Sequence, residues 1–346
     1  MADIEYVVQM KGITKVYPNG IAANQGVDFD VKKGEIHALM GENGAGKSTL
    51  MKMLFGLEQP TDGEIFVNGE KVNLSSPTVA ISKGIGMVHQ HFMLVPSLTV
   101  AENMVLGMEP KSKGFIDSKK AVQITEEYAK KYNLYVDPNA KVRDIPVGMK
   151  QKVEILKALV RGAKILILDE PTVGLDPKQI IEIRNLISRL GRNHTIILSS
   201  HILSEIQAVC KRVIIINKGQ IIADDTPENL SDKLSSDHSI VARVVCSEQD
   251  MLDALKTVKG VKEVGSLGRK EDGSFDFLID PQPGADIRGA VSERIASRGK
   301  TLLALTSNKV SLEQIFLRLT EAADNDEAKR MLGIKAEETK TDVKIA

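Results

Sequence analysis

Three unbroken apolar runs stand out along the chain: Ile165-Leu166-Ile167-Leu168, Thr195-Ile196-Ile197-Leu198 and Val213-Ile214-Ile215-Ile216. Runs without polar alternation suit strands buried on both faces of a largely parallel sheet. Residues 36–40 read the same way. Residues 177–190 and 202–209 are helical in pattern, so the sequence predicts an α/β layer architecture. Residues 27–31 alternate apolar and polar, as a half-buried strand does, within a segment (1–35) that reads as short strands and turns. Strand and turn signals continue over 63–90, including Asn68-Gly69. The spacing predicts a helix over 117–133, capped by Asp117 or Ser118, with Ala121, Ile124, Tyr128 and Tyr132 on one side. It predicts another over 149–161, with Met149, Val153, Leu156, Leu159 and Val160 as its stripe. Near residue 235 the texture changes. A polar linker, 235–239, precedes a predicted small α+β domain to residue 320. Residues 321–346 are polar and read as a frayed helix or disordered tail.

The 346 residues suit two domains. Formal net charge is zero, which gives no sign of a general nucleic-acid binder. The two cysteines, Cys210 and Cys246, lie far apart and in no metal-ligand spacing, so they read as buried small hydrophobes in a reducing compartment. The first residues resemble no signal peptide, and no apolar run approaches the ~20 residues of a membrane span. The expectation is a cytoplasmic chain whose membrane work, if any, needs another chain.

Residues Gly41, Glu42, Asn43, Gly44, Ala45, Gly46, Lys47, Ser48 and Thr49 fit the phosphate-loop pattern G-x-x-x-x-G-K-[ST]. Glycines let the backbone curl so that N–H groups converge on phosphate oxygens. Lys47 then reaches the β- and γ-phosphates, and the Ser48 hydroxyl reaches Mg²⁺. Strand 36–40 precedes the loop. Leu50, Met51, Met53, Leu54 and Leu57 line a helix after it, whose positive end aims at the phosphates. Asp169-Glu170 ends a buried strand, where an open α/β sheet places its ligand. Asp169 there suits Mg²⁺, and Glu170 suits an attacking water. Taken alone, the pair also suits a turn cap before Pro171.

In this order the motifs resemble the ATP-binding subunit of an ABC (ATP-binding cassette) transporter over roughly residues 5–230. The resemblance implies a P-loop cassette of mixed-sheet core, antiparallel β subdomain and helical subdomain (about 91–160) within 1–234. The α+β domain, 235–320, would follow. It implies ATP and Mg²⁺ as cofactors, Walker A at 41–49 and Walker B at 165–170. It makes Gln90 the Q-loop residue sensing metal and γ-phosphate, Asp176 the D-loop residue and His201 the switch histidine. It makes Tyr17 the aromatic that stacks on adenine. Read singly, Tyr17 also suits ordinary packing, and Gln90 and His201 suit solvated strand ends. The expected partners are a permease on the cytoplasmic membrane face and a second cassette, like or unlike. A soluble ABC ATPase of ribosomes or DNA is disfavoured by the lack of a second cassette or basic arm.

The signature motif departs from the family's Leu-Ser-Gly-Gly-Gln and reads Ile145-Pro146-Val147-Gly148-Met149. Pro146 has neither hydroxyl nor N–H for a phosphate on the opposite subunit. Gly148 keeps an amide at a helix start. The resemblance thus also admits a weakly hydrolysing nucleotide-binding module. It also divides. Residues 1–165 resemble nucleoside- and simple-sugar importer cassettes, as if the chain were a natural or constructed recombinant. Residues 169–320 resemble exporter ATPases of the gliding-motility and antibiotic-efflux type, with a C-terminal motif at 311–317. The accessory domain tips the expectation to export, with import of a nucleoside or sugar as the alternative. The apolar residues Phe92, Met93, Leu94, Val95, Leu98 and Val100, within 91–107, suit either a permease contact or packing of the helical subdomain.

Overall fold

The computed structural model describes residues 5–112, 114–234, 239–270, 273–282 and 284–307, with Phe316 and Thr320. They fall into two compact units that meet at Thr226–Pro227. This lies ahead of the boundary expected after residue 234. The expected motif at 311–317 and the tail at 321–346 lie outside the described residues, Phe316 apart.

In the first unit the elements run β1 (Tyr6–Val16), β2 (Ala22–Lys32), β3 (Ile36–Met40), α1 (Lys47–Leu54), β4 (Asp62–Val67), β5 (Glu70–Val72), α2 (Pro77–Ser82) and β6 (Ile85–Val88). Then come α3 (Val100–Val105), the hairpin β7 (Lys111–Ser112) and β8 (Phe115–Ile116), α4 (Ser118–Lys131) and α5 (Val147–Val160). The unit closes with β9 (Ile165–Asp169), α6 (Pro177–Leu190), β10 (Thr195–Ser200), α7 (Leu203–Val209), β11 (Arg212–Asn217) and β12 (Gln220–Asp225).

Six strands in the order β12-β11-β3-β10-β9-β6 form the central sheet. It is parallel except at the β12 edge. Every residue of β3, β9 and β10 is buried, as the unbroken apolar runs require. A second sheet, β2-β1-β4-β5, is antiparallel. Its first two strands each span 11 residues, longer than the short strands expected over 1–35. Register shifts along β1–β2 let them bend through that length. The β4–β5 turn uses Asn68 and Gly69, both at positive φ (52° and 80°), as a tight hairpin demands. Both sheets share one core, in which Met10, Phe29, Leu50, Met51, Leu54 and Ile214 are each 0–1% exposed.

The helical part, α3 to α5, carries local start signals. Thr99 and Glu102 form a reciprocal capping box on α3. Asp117 caps α4 through the Lys120 N–H. The fully buried stripe of α4 is Ala121, Thr125 and Ala129, while Ile124, Tyr128 and Tyr132 are only half-buried. Leu57 lies past the end of α1 and is 47% exposed, so it does not extend that helix's apolar face.

The second unit contains α8 (Pro227–Leu234), β13 (Ile240–Val245), α9 (Glu248–Lys256), β14 (Val261–Arg269), β15 (Ser274–Pro281), α10 (Arg288–Ser297) and β16 (Thr301–Ser307). Its four strands are all antiparallel, in the order β14-β15-β13-β16. This β-α-β-β-α-β order is the split βαβ arrangement. Phe277, Ile279, Leu255 and Val291 are fully buried in its own core. Among the described residues no helix is long and apolar enough to cross a membrane.

Candidate functional site

Parallel register decides which loops meet. Ser200 pairs with Met40, Ser199 with Asp169, and Leu168 with Val88. The carboxyl ends of β3, β10, β9 and β6 therefore lie side by side. The segments leaving them carry the glycine loop, His201, Asp169-Glu170 and Gln90. This is where an open α/β sheet receives its ligand. A cleft of about 340 Å³ opens there, lined by Glu42, Asn43, Gly44, Gly46, Lys47, Ser48, Thr49, Gln90, Glu170 and His201, with Ala23 and Val173.

Glycine is required at two points of the loop. Gly46 caps α1 at φ 103°, and a Cβ there would meet the Ala23 carbonyl at 2.3 Å. Gly41 abuts β11, where a Cβ would stand 2.4 Å from the Ile216 carbonyl. The Lys47 ammonium donates to the Gly41 and Glu42 carbonyls at 2.7 and 3.1 Å, so it is folded back over the loop. It also lies 3.7 Å from Glu170 Oε1. Burial pushes its pKa below the usual lysine value, while Glu170 and Asp169 pull it back up.

Ser48 Oγ donates to Asp169 Oδ1 at 3.2 Å. Glu170 is 6% exposed and its Oε2 lies 2.8 Å from His201 Nδ1. Its backbone sits at φ 50°, a conformation that non-glycine residues seldom adopt and that clusters at functional sites. The imidazole is 42% exposed and stands at the cleft's mouth. The structure thus brings together Lys47, Ser48, Asp169, Glu170, Gln90 and His201.

Gly41, Ala45 and Asp169 border the lining through the loop and the β9 tip, whereas Tyr17, Gly148 and Asp176 stand elsewhere. Tyr17 is beside the cleft rather than among its lining. Its hydroxyl donates to Glu58 Oε2 at 2.7 Å and lies 3.4 Å from Thr49 Oγ1, and burial raises its pKa. Gly148 and Asp176 line a different groove with Pro146, Lys152, Gln179 and Glu182. There Pro146 is the N-cap of α5 with no side-chain hydrogen bond, and Asp176 caps α6 through the Gln179 N–H. A Cβ on Gly148 would stand 2.8 Å from the Gln179 side chain. In this chain the two residues line a surface separate from the cleft.

The apolar segment after Gln90 divides. Leu94 and Val100 are buried, whereas Met93 and Val95 are 58% and 36% exposed. Met93 borders a second, mainly apolar hollow of about 210 Å³ with Phe55, Ile81, Met87, His89 and Arg161.

Ser48, Asp169 and Gln90 offer hydroxyl, carboxylate and amide oxygens, the hard donors that Mg²⁺ prefers, and one carboxylate with phosphate oxygens is its usual enzyme setting. The donor set fits a magnesium-bound nucleotide. Sequence reading singled out these residues but not Thr172, Ser200 or Glu205, which connect behind the cleft. Glu205 gave only a bland helical signal.

The ABC transporter family profile matches residues 24–173. The chain is 53% identical to the guanosine import ATP-binding protein NupO of Bacillus subtilis (strain 168) over 235 residues, covering 67% of this chain and 46% of that one. It is 49% identical to the nucleoside import ATP-binding protein NupA of Lactococcus lactis subsp. cremoris (strain MG1363) over 271 residues, covering 76% and 53%. The chain spans about half the length of these curated relatives. Similarity to the ribose import ATP-binding protein RbsA 3 of Rubrobacter xylanophilus, 35% identical, covers 94% of this chain and 66% of that one. Among solved structures, the MJ0796 cassette dimer bound to ADP and Pi superposes with TM-score 0.56 at 28% identity, covering 63% of this chain and 98% of that one. CbiO1 of Clostridium perfringens gives TM-score 0.57 at 26% identity, covering 65% and 90%. The expectation of export is not supported. These relatives are import proteins, and the similarity to RbsA 3 runs through the half of the chain that suggested export.

Proposed function

This chain belongs to the ABC transporter family as an ATP-binding cassette, and from that premise we propose that it binds and hydrolyses ATP to power membrane import of a nucleoside or simple sugar. The observation that carries the ATPase reading is the meeting of Lys47, Ser48, Asp169, Glu170 and His201 at adjacent strand ends. Lys47 swings from the Gly41 and Glu42 carbonyls to the β- and γ-phosphates, which replace those acceptors with charged ones. The loop amides of 43–49 hold the remaining phosphate oxygens. Ser48, Asp169 and Gln90 would hold Mg²⁺, which would supply charge to neutralise the phosphates. Glu170 takes the proton of the attacking water, and His201 fixes that carboxylate while facing the γ-phosphate. Tyr17 flanks the adenine ring from beside Thr49.

The separate Gly148–Asp176 surface supplies the other half of a composite site in a second cassette, like or unlike. The hollow bordered by Met93 receives a segment of the permease, which places the chain on the cytoplasmic membrane face. ATP does work by favouring the closed pair over the open one. Residues 1–226 form the cassette and the second unit is an accessory domain. The direction of transport follows that of the import proteins this chain is similar to. Its test is uptake of radiolabelled nucleosides and pentoses in cells lacking the gene. Uptake that is lost, then restored by the wild-type chain but not by Lys47→Ala, supports import. Unchanged uptake of every substrate, or altered efflux alone, refutes it.

A further inference from the structure

Behind the cleft, Glu205 on α7 joins two segments that leave neighbouring strands. It is 3% exposed. Its Oε2 accepts from Thr172 Oγ1 at 2.6 Å and from Ser200 Oγ at 3.2 Å. Thr172 lies two residues past Glu170, and Ser200 immediately precedes His201. The β9–β10 ladder ends at Ser199 and Asp169, with one further backbone bond from the Glu170 N–H to the Ser199 carbonyl at 2.9 Å. Ser200 Oγ also accepts from the Ile202 N–H at 3.0 Å, which shapes the turn carrying His201. Beyond the ladder, then, the Glu205 carboxylate spans the gap between the Glu170 and His201 segments.

A buried carboxylate is costly unless its hydrogen bonds compensate. Glu205 Oε1 has no hydrogen-bond partner among the described residues, so a stability role alone is a poor account of its burial. Its two contacts, at 2.6 and 3.2 Å, instead fall on the segments that carry the 2.8 Å Glu170–His201 pair.

We propose that Glu205 is a positioning residue for hydrolysis: it clips the Thr172 and Ser200 segments together and so holds the Glu170 carboxylate and the His201 imidazole in working register. The inference rests on the ATPase reading above. Glu205 is not among the residues that line the cleft, so it affects turnover and leaves nucleotide binding to the glycine loop and Lys47. The misplacement it prevents is small, but shifts of about 1 Å in reacting groups cost up to roughly a hundredfold.

The test measures kcat and KM for Mg-ATP, and the thermal midpoint, in the full chain. Thr172→Val removes the donor at nearly constant volume, Thr172→Ser keeps it, and Glu205→Ala removes the clip. Thr172→Val and Glu205→Ala are expected to lower kcat by roughly tenfold to a hundredfold with KM within about threefold of wild type. Thr172→Ser is expected to stay within about threefold in both. If Glu205→Ala does not fold, the two Thr172 variants decide, since both keep the carboxylate and its Ser200 contact. Folded variants with wild-type kcat, an equal loss in Thr172→Ser, or a change confined to KM would each overturn the clip. A wild type without turnover overturns the ATPase reading, and the inference with it, whereas an active wild type with indifferent variants overturns the clip alone.

Discussion

Replacing Pro146 with serine is expected to increase activity. Pro146 occupies the N-cap of α5 at φ −61° and ψ 157° and makes no side-chain hydrogen bond to the first turn. Those angles are ordinary for serine in a capping role. Two stability effects oppose each other. A serine cap stabilises a helix by about 0.5–2 kcal/mol, while loss of proline frees the unfolded chain and costs about 0.4–1 kcal/mol. At mid-range they leave only about 0.5 kcal/mol, and at about 2–4 °C per kcal/mol for a domain of this size the thermal midpoint should move by roughly 2 °C or less. Activity has no such cancellation. On the composite-site reading the new hydroxyl faces the phosphate of the second cassette's nucleotide. One hydrogen bond to a charged group is worth about 1.5–3 kcal/mol, or roughly ten- to a hundredfold in rate. The assay is steady-state phosphate release at saturating Mg-ATP over a series of protein concentrations, because the site needs two cassettes. A rise in kcat at constant midpoint is the predicted result. Unchanged or lower kcat in a folded Pro146→Ser variant would refute the reasoning about this position.

Lys47→Ala should abolish the rise in thermal midpoint that ATP causes in the wild type, and should lower stability without ligand, because Glu170 and Asp169 lose their buried cation at a cost of about 3–5 kcal/mol. An ATP-induced shift equal to wild type would remove Lys47 from phosphate binding. Acid should also weaken the fold. Burial holds His89 and His194 below their usual value of 6.5, so the folded state favours their neutral forms. That stability is fully present above about pH 6.5 and is lost as pH falls through the lower folded-state values. Denaturation midpoints between pH 8 and pH 5 should show this loss, and a His194→Gln variant should show a shallower one. A profile equally steep in the variant would count against His194.

How much the sequence disclosed depends on whether a signal was local. Unbroken runs such as residues 165–168 disclosed their strands, because full burial on both faces removes any need for polar alternation. The phosphate loop was legible because Gly46 and Gly41 answer backbone demands that no other residue meets. Cap residues Asp117 and Asp176 lie at the helix starts that their side chains satisfy. Leu57 misled, since an apolar residue in helical register says nothing about whether the helix lasts long enough to use it. The long hairpin of β1 and β2 was underestimated because its bulges interrupt the alternation that marks a strand. The Thr172–Ser200–Glu205 contact was out of reach. It exists only when two loops and a helix turn fold together, and each residue alone reads as a routine polar position. The lean to export rested on the accessory domain, but similarity to the import protein RbsA 3 covers 94% of this chain and so runs through that domain as well.

The central claim is that the glycine loop and the acidic tip of β9 grip one nucleotide from two sides, with Glu170 as the base. Single-turnover hydrolysis of Mg-ATP by Glu170→Gln, measured beside nucleotide affinity, tests it most directly. The account predicts affinity within a few-fold of wild type and hydrolysis slower by about 10²–10⁴-fold. Hydrolysis at the wild-type rate would contradict it.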